Sequence, residues 1–154
     1  MALEDDIRDM ARLPIFQEIE PDALRLLAFS AETKIFRKGD VLFRRGDMSD
    51  GGFLVLSGSF QIDSPSQREG GEFVIPSYSL IGEMALLTAT ERPATVIARE
   101  PSTVLKITRA VFHRVLKEHP KSAIRIRASL EARLARFSSE TEPGHGLIAL
   151  SGRQ

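Results

Sequence analysis

Two side chains of opposite charge, Glu83 and Arg92, stand at the ends of a short segment whose first half is apolar, Met84-Ala85-Leu86-Leu87. An arginine grips phosphate oxygens through a fixed two-pronged fork. An ionised carboxylate only accepts hydrogen bonds, as it would from sugar hydroxyls. The run Gly82-Glu83-Met84-Ala85-Leu86 is predicted as a short helix, whose unpaired N–H groups attract anions. Together these residues suit a small ligand that carries both phosphate and hydroxyl groups. Outside such a setting, each charge would be read as an exposed loop residue.

Other chemistries find little support. There is no Gly-x-Ser-x-Gly elbow and no P-loop, and with no cysteine there is no thiol nucleophile, thiolate metal site or disulfide framework. His113, His119 and His145 all fall in the C-terminal third, whereas a jelly-roll oxygenase needs two histidines and a carboxylate converging from strands. No catalytic or metal-binding residues are therefore assigned, and the expectation is that the chain is not an enzyme. At 154 residues it reads as one domain, and 21 basic against 21 acidic residues give no footprint for nucleic acid or an anionic membrane. The start, Met-Ala-Leu-Glu-Asp-Asp-Ile-Arg, lacks the apolar centre of a signal peptide, and no apolar run is long enough to span a bilayer. A cytoplasmic location without membrane insertion is expected.

The elements that must position Glu83 and Arg92 follow from periodicity. Met10, Leu13 and Phe16 give a helical face interrupted at Pro14, and Pro21 opens a second helix with Leu24, Leu27 and Ala28 on one side. The turn signals Lys38-Gly39-Asp40, Arg45-Gly46-Asp47 and Ser57-Gly58-Ser59 bracket short strands at Thr33 to Phe36, Val41 to Arg44 and Phe53 to Leu56. The polar run Ser64 to Gly71 reads as a hairpin tip between Phe60-Gln61-Ile62 and Glu72-Phe73-Val74-Ile75. Two more strands are expected at Thr95 to Ala98 and Thr103 to Ile107. Thr108 can cap a helix carrying Val111, Phe112, Val115 and Leu116. A last helix, from about Pro120 to Phe137, places Ile126, Leu130, Leu134 and Phe137 on one stripe. From Ser138 to Gln154 periodicity is lost and a disordered tail is expected, leaving 1–137 as the domain. The architecture is α+β, a barrel, sandwich or jelly roll between N- and C-terminal helices.

The segment Gly82 to Val96 resembles the phosphate-binding cassette of cyclic nucleotide-binding domains, typically Phe-Gly-Glu-Leu-Ala-Leu-Leu, three variable positions, then Pro-Arg-Ala-Ala-Thr-Val. It aligns without a gap. Leu13-Pro14-Ile15-Phe16 before the Ala23-Leu24 helix resembles the family's helical lead-in, and Gly39-Asp40, Gly46-Asp47, Asp50 and Val55-Leu56-Ser57-Gly58 resemble its β-roll signature. The resemblance covers about residues 10 to 137. It implies a β-roll (a double-stranded β-helix or jelly roll), with Glu83 on the ribose 2′-hydroxyl, Arg92 on the cyclic phosphate, and backbone N–H groups near Ala85 adding contacts. The implied ligand-binding set is Gly82, Glu83, Met84, Ala85, Arg92, Pro93, Ala94 and Thr95, with Arg133 of the last helix as a lid over the base.

Several positions depart from the family. Glu91 stands where proline is usual, and Pro93 removes both a backbone N–H and the threonine hydroxyl used by guanine-preferring members. The reading that results is a cAMP sensor, with cGMP as the other candidate ligand and no cofactor. Tyr78, the chain's one tyrosine, stands where glycine is common and is expected to pack on the roll. Thr95 is either a pocket residue or an ordinary strand residue, and Arg125, Arg127 and Arg136 share a basic stretch with Arg133 whose plain reading is a solvated helix face. With too few residues after Phe137 for a winged helix, output is expected through movement of the last helix to an effector protein, as a monomer or weak homodimer. The alternative is an interaction module that keeps the roll and has lost the nucleotide.

Overall fold

Proline breaks the opening helical pattern twice, and the chain begins as three pieces: α1 (Ala2–Met10), α2 (Pro14–Gln17) and α3 (Pro21–Ser30). Pro14 and Pro21 sit at the first helical positions, where a missing N–H costs nothing. The computed structural model describes residues 2–63, 73–139 and 149–151, with backbone only at Ala2, Leu130, 133–139 and 149–151.

The strands are β1 (Glu32–Phe36), β2 (Val41–Phe43), β3 (Gly51–Ser57), β4 (Phe60–Asp63), β5 (Phe73–Ile75), β6 (Ser79–Ile81), β7 (Thr95–Ala98), β8 (Ser102–Thr108) and β9 (Ala149–Ser151). A 3₁₀ turn (Glu83–Leu86) lies between β6 and β7, and α4 (Arg109–Glu118) and α5 (Pro120–Ser139) follow β8. All pairing is antiparallel. One sheet runs β1-β8-β3-β6-β9 and the other β2-β7-β4-β5. The architecture is the expected α+β β-roll.

Alternation along three strands of the larger sheet divides the interior. Leu54, Leu80, Leu105 and Ile107 face the helices and join Phe16, Leu27, Phe112, Val115 and Ile126 in one core. Phe53, Val55, Ile81 and Val104, the intervening residues, face the second sheet and pack with Phe43, Phe60 and Val96 in another. A sheet buried on both faces reads as a continuous apolar run, which is why Phe53-Leu54-Val55 shows no alternation in sequence.

Some elements differ from expectation. The short helix from Gly82 is a 3₁₀ turn, and β6 has no counterpart in the strands expected. Within the range expected to lack structure, α5 continues through Ser138 and Ser139, and Ala149–Ser151 pair with β6 in the register Ser79↔Ser151. The rest of that range, and the Ser64 to Gly71 hairpin tip, lie outside the described residues. The strands flanking that tip do pair, Phe60 opposite Ile75.

Candidate functional site

Arg92 is held by its backbone before its side chain is considered. The turn Arg44–Asp47 closes through the Asp47 carboxylate, which accepts from the Arg44 N–H at 3.0 Å. Gly46, at φ +90°, turns its own N–H onto the Arg92 carbonyl, and the Arg92 N–H donates to the Asp47 carbonyl, both at 2.8 Å. The glycine turn read as a loop signal is thus the clamp that presents Arg92.

The Arg92 side chain is 5% exposed. Its guanidinium carbon stands 4.2 Å from the Phe43 ring centroid and 5.6 Å from that of Phe53, a cation–π arrangement. Nη2 donates to the Gly51 carbonyl at 2.8 Å, the side chain's one hydrogen bond among the described residues. The other four of its five N–H donors make no hydrogen bond among the described residues. Burial pushes the Arg92 pKa down and the neighbouring Arg109 adds to this, while Asp50 and Asp47 act in the opposite direction. A cation kept in an apolar wall has a strong call for an anion.

The 3₁₀ turn approaches this cation through Gly82. Gly82 is at φ +81°, and a Cβ there would lie 2.6 Å from Arg92 Nη1, so only glycine permits the approach. Glu83, next in the chain, is 3% exposed. Ala85 is buried and Met84 half-buried. The Ala85 N–H donates to the Gly82 carbonyl at 3.0 Å, so this amide, named above as an anion contact, is committed within the turn in this structure. Ala94 is buried beside Arg92, whereas Pro93 faces outward. Thr95 is a half-buried strand residue whose hydroxyl accepts the Arg45 N–H at 2.9 Å.

Arg109 was not among the sequence candidates. Its Nη1 donates to the Ala85 carbonyl at 2.9 Å, its Nη2 to the Ser49 carbonyl at 3.1 Å, and its backbone N–H to the Asp50 carbonyl at 2.7 Å. It therefore ties the turn, the β3 approach and the start of α4 to one another. A signal existed: a cation at the first position of α4, just after the Thr108 cap, opposes the helix dipole and needs another reason to be there. Asp50 also lies beside this group. Burial raises its pKa, but the Lys106 ammonium at 3.0 Å and the Arg92 charge outweigh that and leave it lowered.

Comparison with known proteins fits this geometry. The model of the cyclic nucleotide-binding domain matches residues 33–119. The chain belongs to the cyclic nucleotide-binding domain family. A cyclic nucleotide-binding-like protein from Brucella abortus is 31% identical with a TM-score of 0.64, the alignment covering 73% of this chain and 98% of that one. The sensor domain of the transcriptional regulator DNR from Pseudomonas aeruginosa shares the fold at a TM-score of 0.71 and 23% identity, over 92% of this chain and 96% of that one. A lysophospholipase of Neurospora crassa is 32% identical over 123 residues, 78% of this chain. A putative potassium channel protein of Rhodopseudomonas palustris is 24% identical over 127 residues, 82% of this chain. The chain spans 8% of the length of that lysophospholipase and 31% of that of the channel protein.

Within this cyclic nucleotide-binding domain the remaining sequence candidates separate. Tyr78 is at φ +65°, a left-handed conformation that explains why glycine suits the position. Its ring lies under the Arg12 guanidinium at 4.2 Å, so it packs on the helical lead-in. The first turn of α5 is anchored: the buried Ser122 hydroxyl accepts the Glu20 N–H at 2.8 Å, and Ile126 is fully buried. Arg125 and Arg127 are exposed, in line with a solvated face. Arg133 lies on α5, but its side chain, like those of Leu130, Leu134, Arg136 and Phe137, lies outside the described residues. No helix among the described residues is long and apolar enough to cross a membrane.

Proposed function

We propose that this domain is a cyclic nucleotide sensor, with cAMP as the favoured ligand and cGMP as the other candidate. Arg92 grips the cyclic phosphate, Glu83 accepts from the ribose 2′-hydroxyl, and Arg133 covers the base. Gly82, Met84, Ala85, Pro93, Ala94 and Thr95 shape the cradle, and no cofactor or metal takes part. The observation that carries this reading is the buried Arg92 guanidinium, with four donors unbonded among the described residues, pressed against the glycine that precedes a buried glutamate. Binding favours one placement of α5 by the ligand's difference in affinity for the two placements. An effector protein reads that placement in the cytoplasm, with the domain as a monomer or weak dimer.

A second reading is an interaction module that has lost nucleotide binding. Two features favour it: Pro93 offers no N–H, and Arg92 already donates to the Gly51 carbonyl. Isothermal titration with cAMP and with cGMP separates the two. The sensor reading requires saturable binding that Arg92→Ala abolishes. Absence of heat and of thermal shift at millimolar cAMP overturns it in favour of the module.

A further inference from the structure

On the far side of the cassette turn, a cavity of about 480 Å³ opens between the turn's end, α4 and α5. Its floor is apolar: Leu87, Leu116, Ala123 and Ile126. Its rim is cationic or titratable: Lys117, Arg127 and His113, whose Nε2 lies 3.1 Å from the Leu87 carbonyl. Lys117 and Arg127 are exposed and make no ion pair among the described residues. They belong to a wider asymmetry. From Arg109 to Ser139 the chain carries eight lysines and arginines against two acids, Glu118 and Glu131, in a protein of zero formal net charge. The volume lies within the range of ligand-binding cavities, roughly 300–1,000 Å³.

We infer that this groove is the docking site for an acidic amphipathic helix of a partner protein. The charge on the rim selects an anionic partner, and the apolar floor requires that partner to insert aliphatic side chains. Nucleic acid offers phosphate without those side chains. A bilayer takes up apolar groups that protrude, whereas this floor is recessed. A helix with acids on one flank and apolar residues at i, i+3 or i+4, and i+7 meets both requirements. The position also has a consequence. Leu87 ends the turn beside the nucleotide cassette, and Ala123 and Ile126 belong to α5, so the occupant contacts both sides of the joint at once. The inference names the chemistry of the effector in the sensor reading, and rests on that reading only for the link to nucleotide.

The test is a selection of helical peptides from a random displayed library on the whole protein, run with and without cAMP. Enriched sequences should be acidic with the stated apolar spacing. The consensus peptide should lose at least about tenfold in affinity, by fluorescence polarisation, for Lys117→Glu/Arg127→Glu and separately for Ala123→Asp. Both variants should keep the wild-type melting temperature within a few degrees, and the surface pair should keep the wild-type response to cAMP. Recovery of no peptide, of peptides without acidic enrichment, or of peptides indifferent to the rim reversal overturns the inference. So does sedimentation with phosphatidylserine vesicles that the rim reversal abolishes, which would make the surface a membrane site. Peptide binding in a protein that ignores cAMP would sink the sensor reading and leave the groove standing.

Discussion

Replacing Gly82 with alanine should cost more in ligand binding than in stability, and the structure sets both sizes. At φ +81°, alanine adopts a left-handed backbone at a cost of about 1–2 kcal/mol. For a chain of this length that lowers the melting temperature by roughly 2–8 °C. The new Cβ would stand 2.6 Å from Arg92 Nη1 but 3.6 Å from the Gly51 carbonyl and 3.7 Å from the Ala85 Cβ. The last two are ordinary contacts, so the clash falls on the guanidinium. If Arg92 must swing away, cAMP loses one charge-assisted hydrogen bond, about 1.5–3 kcal/mol. That corresponds to roughly a 10- to 150-fold weaker dissociation constant. Gly39→Ala is the control: φ is +91° and nothing lies within 4 Å, so the backbone cost is similar and no side chain is displaced. Calorimetric melts and isothermal titration on both variants decide the matter. Gly82→Ala with affinity within about threefold of wild type, or equal losses in both variants, would refute the placement of phosphate on Arg92.

Arg92→Ala should remove about 2–5 kcal/mol of cAMP binding, measured by titration, the scale of leaving a buried charge unpaired. Arg109→Met leaves the Ala85 and Ser49 carbonyls without their shared donor, and denaturant unfolding should show a loss of about 1.5–3 kcal/mol. At position 78, glycine relieves left-handed strain of about 1–2 kcal/mol whereas alanine keeps it, so Tyr78→Gly should melt above Tyr78→Ala although both lose the Arg12 stacking. Asp6 has its pKa raised, by burial first and by Asp9 and Asp5 next. The folded state therefore holds its proton more tightly than the unfolded state. Its contribution to stability is full below the ordinary value of 3.8 and is lost as pH rises through the folded pKa. Asp6→Asn should accordingly raise the melting temperature at neutral pH and make no difference below that value.

What could be read in advance depended on how locally each feature is encoded. The cassette lies in one unbroken window, so Glu83 and Arg92 were open to inspection, whereas the close approach of Gly82 to the guanidinium was not. The glycine turns were visible as punctuation, though not as the clamp on Arg92, because the Gly46 and Asp47 bonds to Arg92 span nearly all of the chain between β2 and β7. Arg109 escaped notice because its partners are backbone carbonyls far away in sequence, which leave no trace in residue type. Ser79-Leu80-Ile81 is too short for a period to emerge, and its residues are buried whichever way they face. The anchoring of α5 rests on Ser122 meeting Glu20 across 102 positions, a contact that only the folded chain creates.

The larger sheet is a party wall between two rooms. Leu54, Leu80 and Leu105 furnish the helical side, and Phe53, Ile81 and Val104 the other. Arg92 leans on Phe43 and Phe53, in the second room, while α4 and the start of α5 are bedded in the first. A shift in the packing of the helices therefore need not repack the phenylalanines under the guanidinium. Under the sensor reading proposed above, grip and movement would rest on different cores.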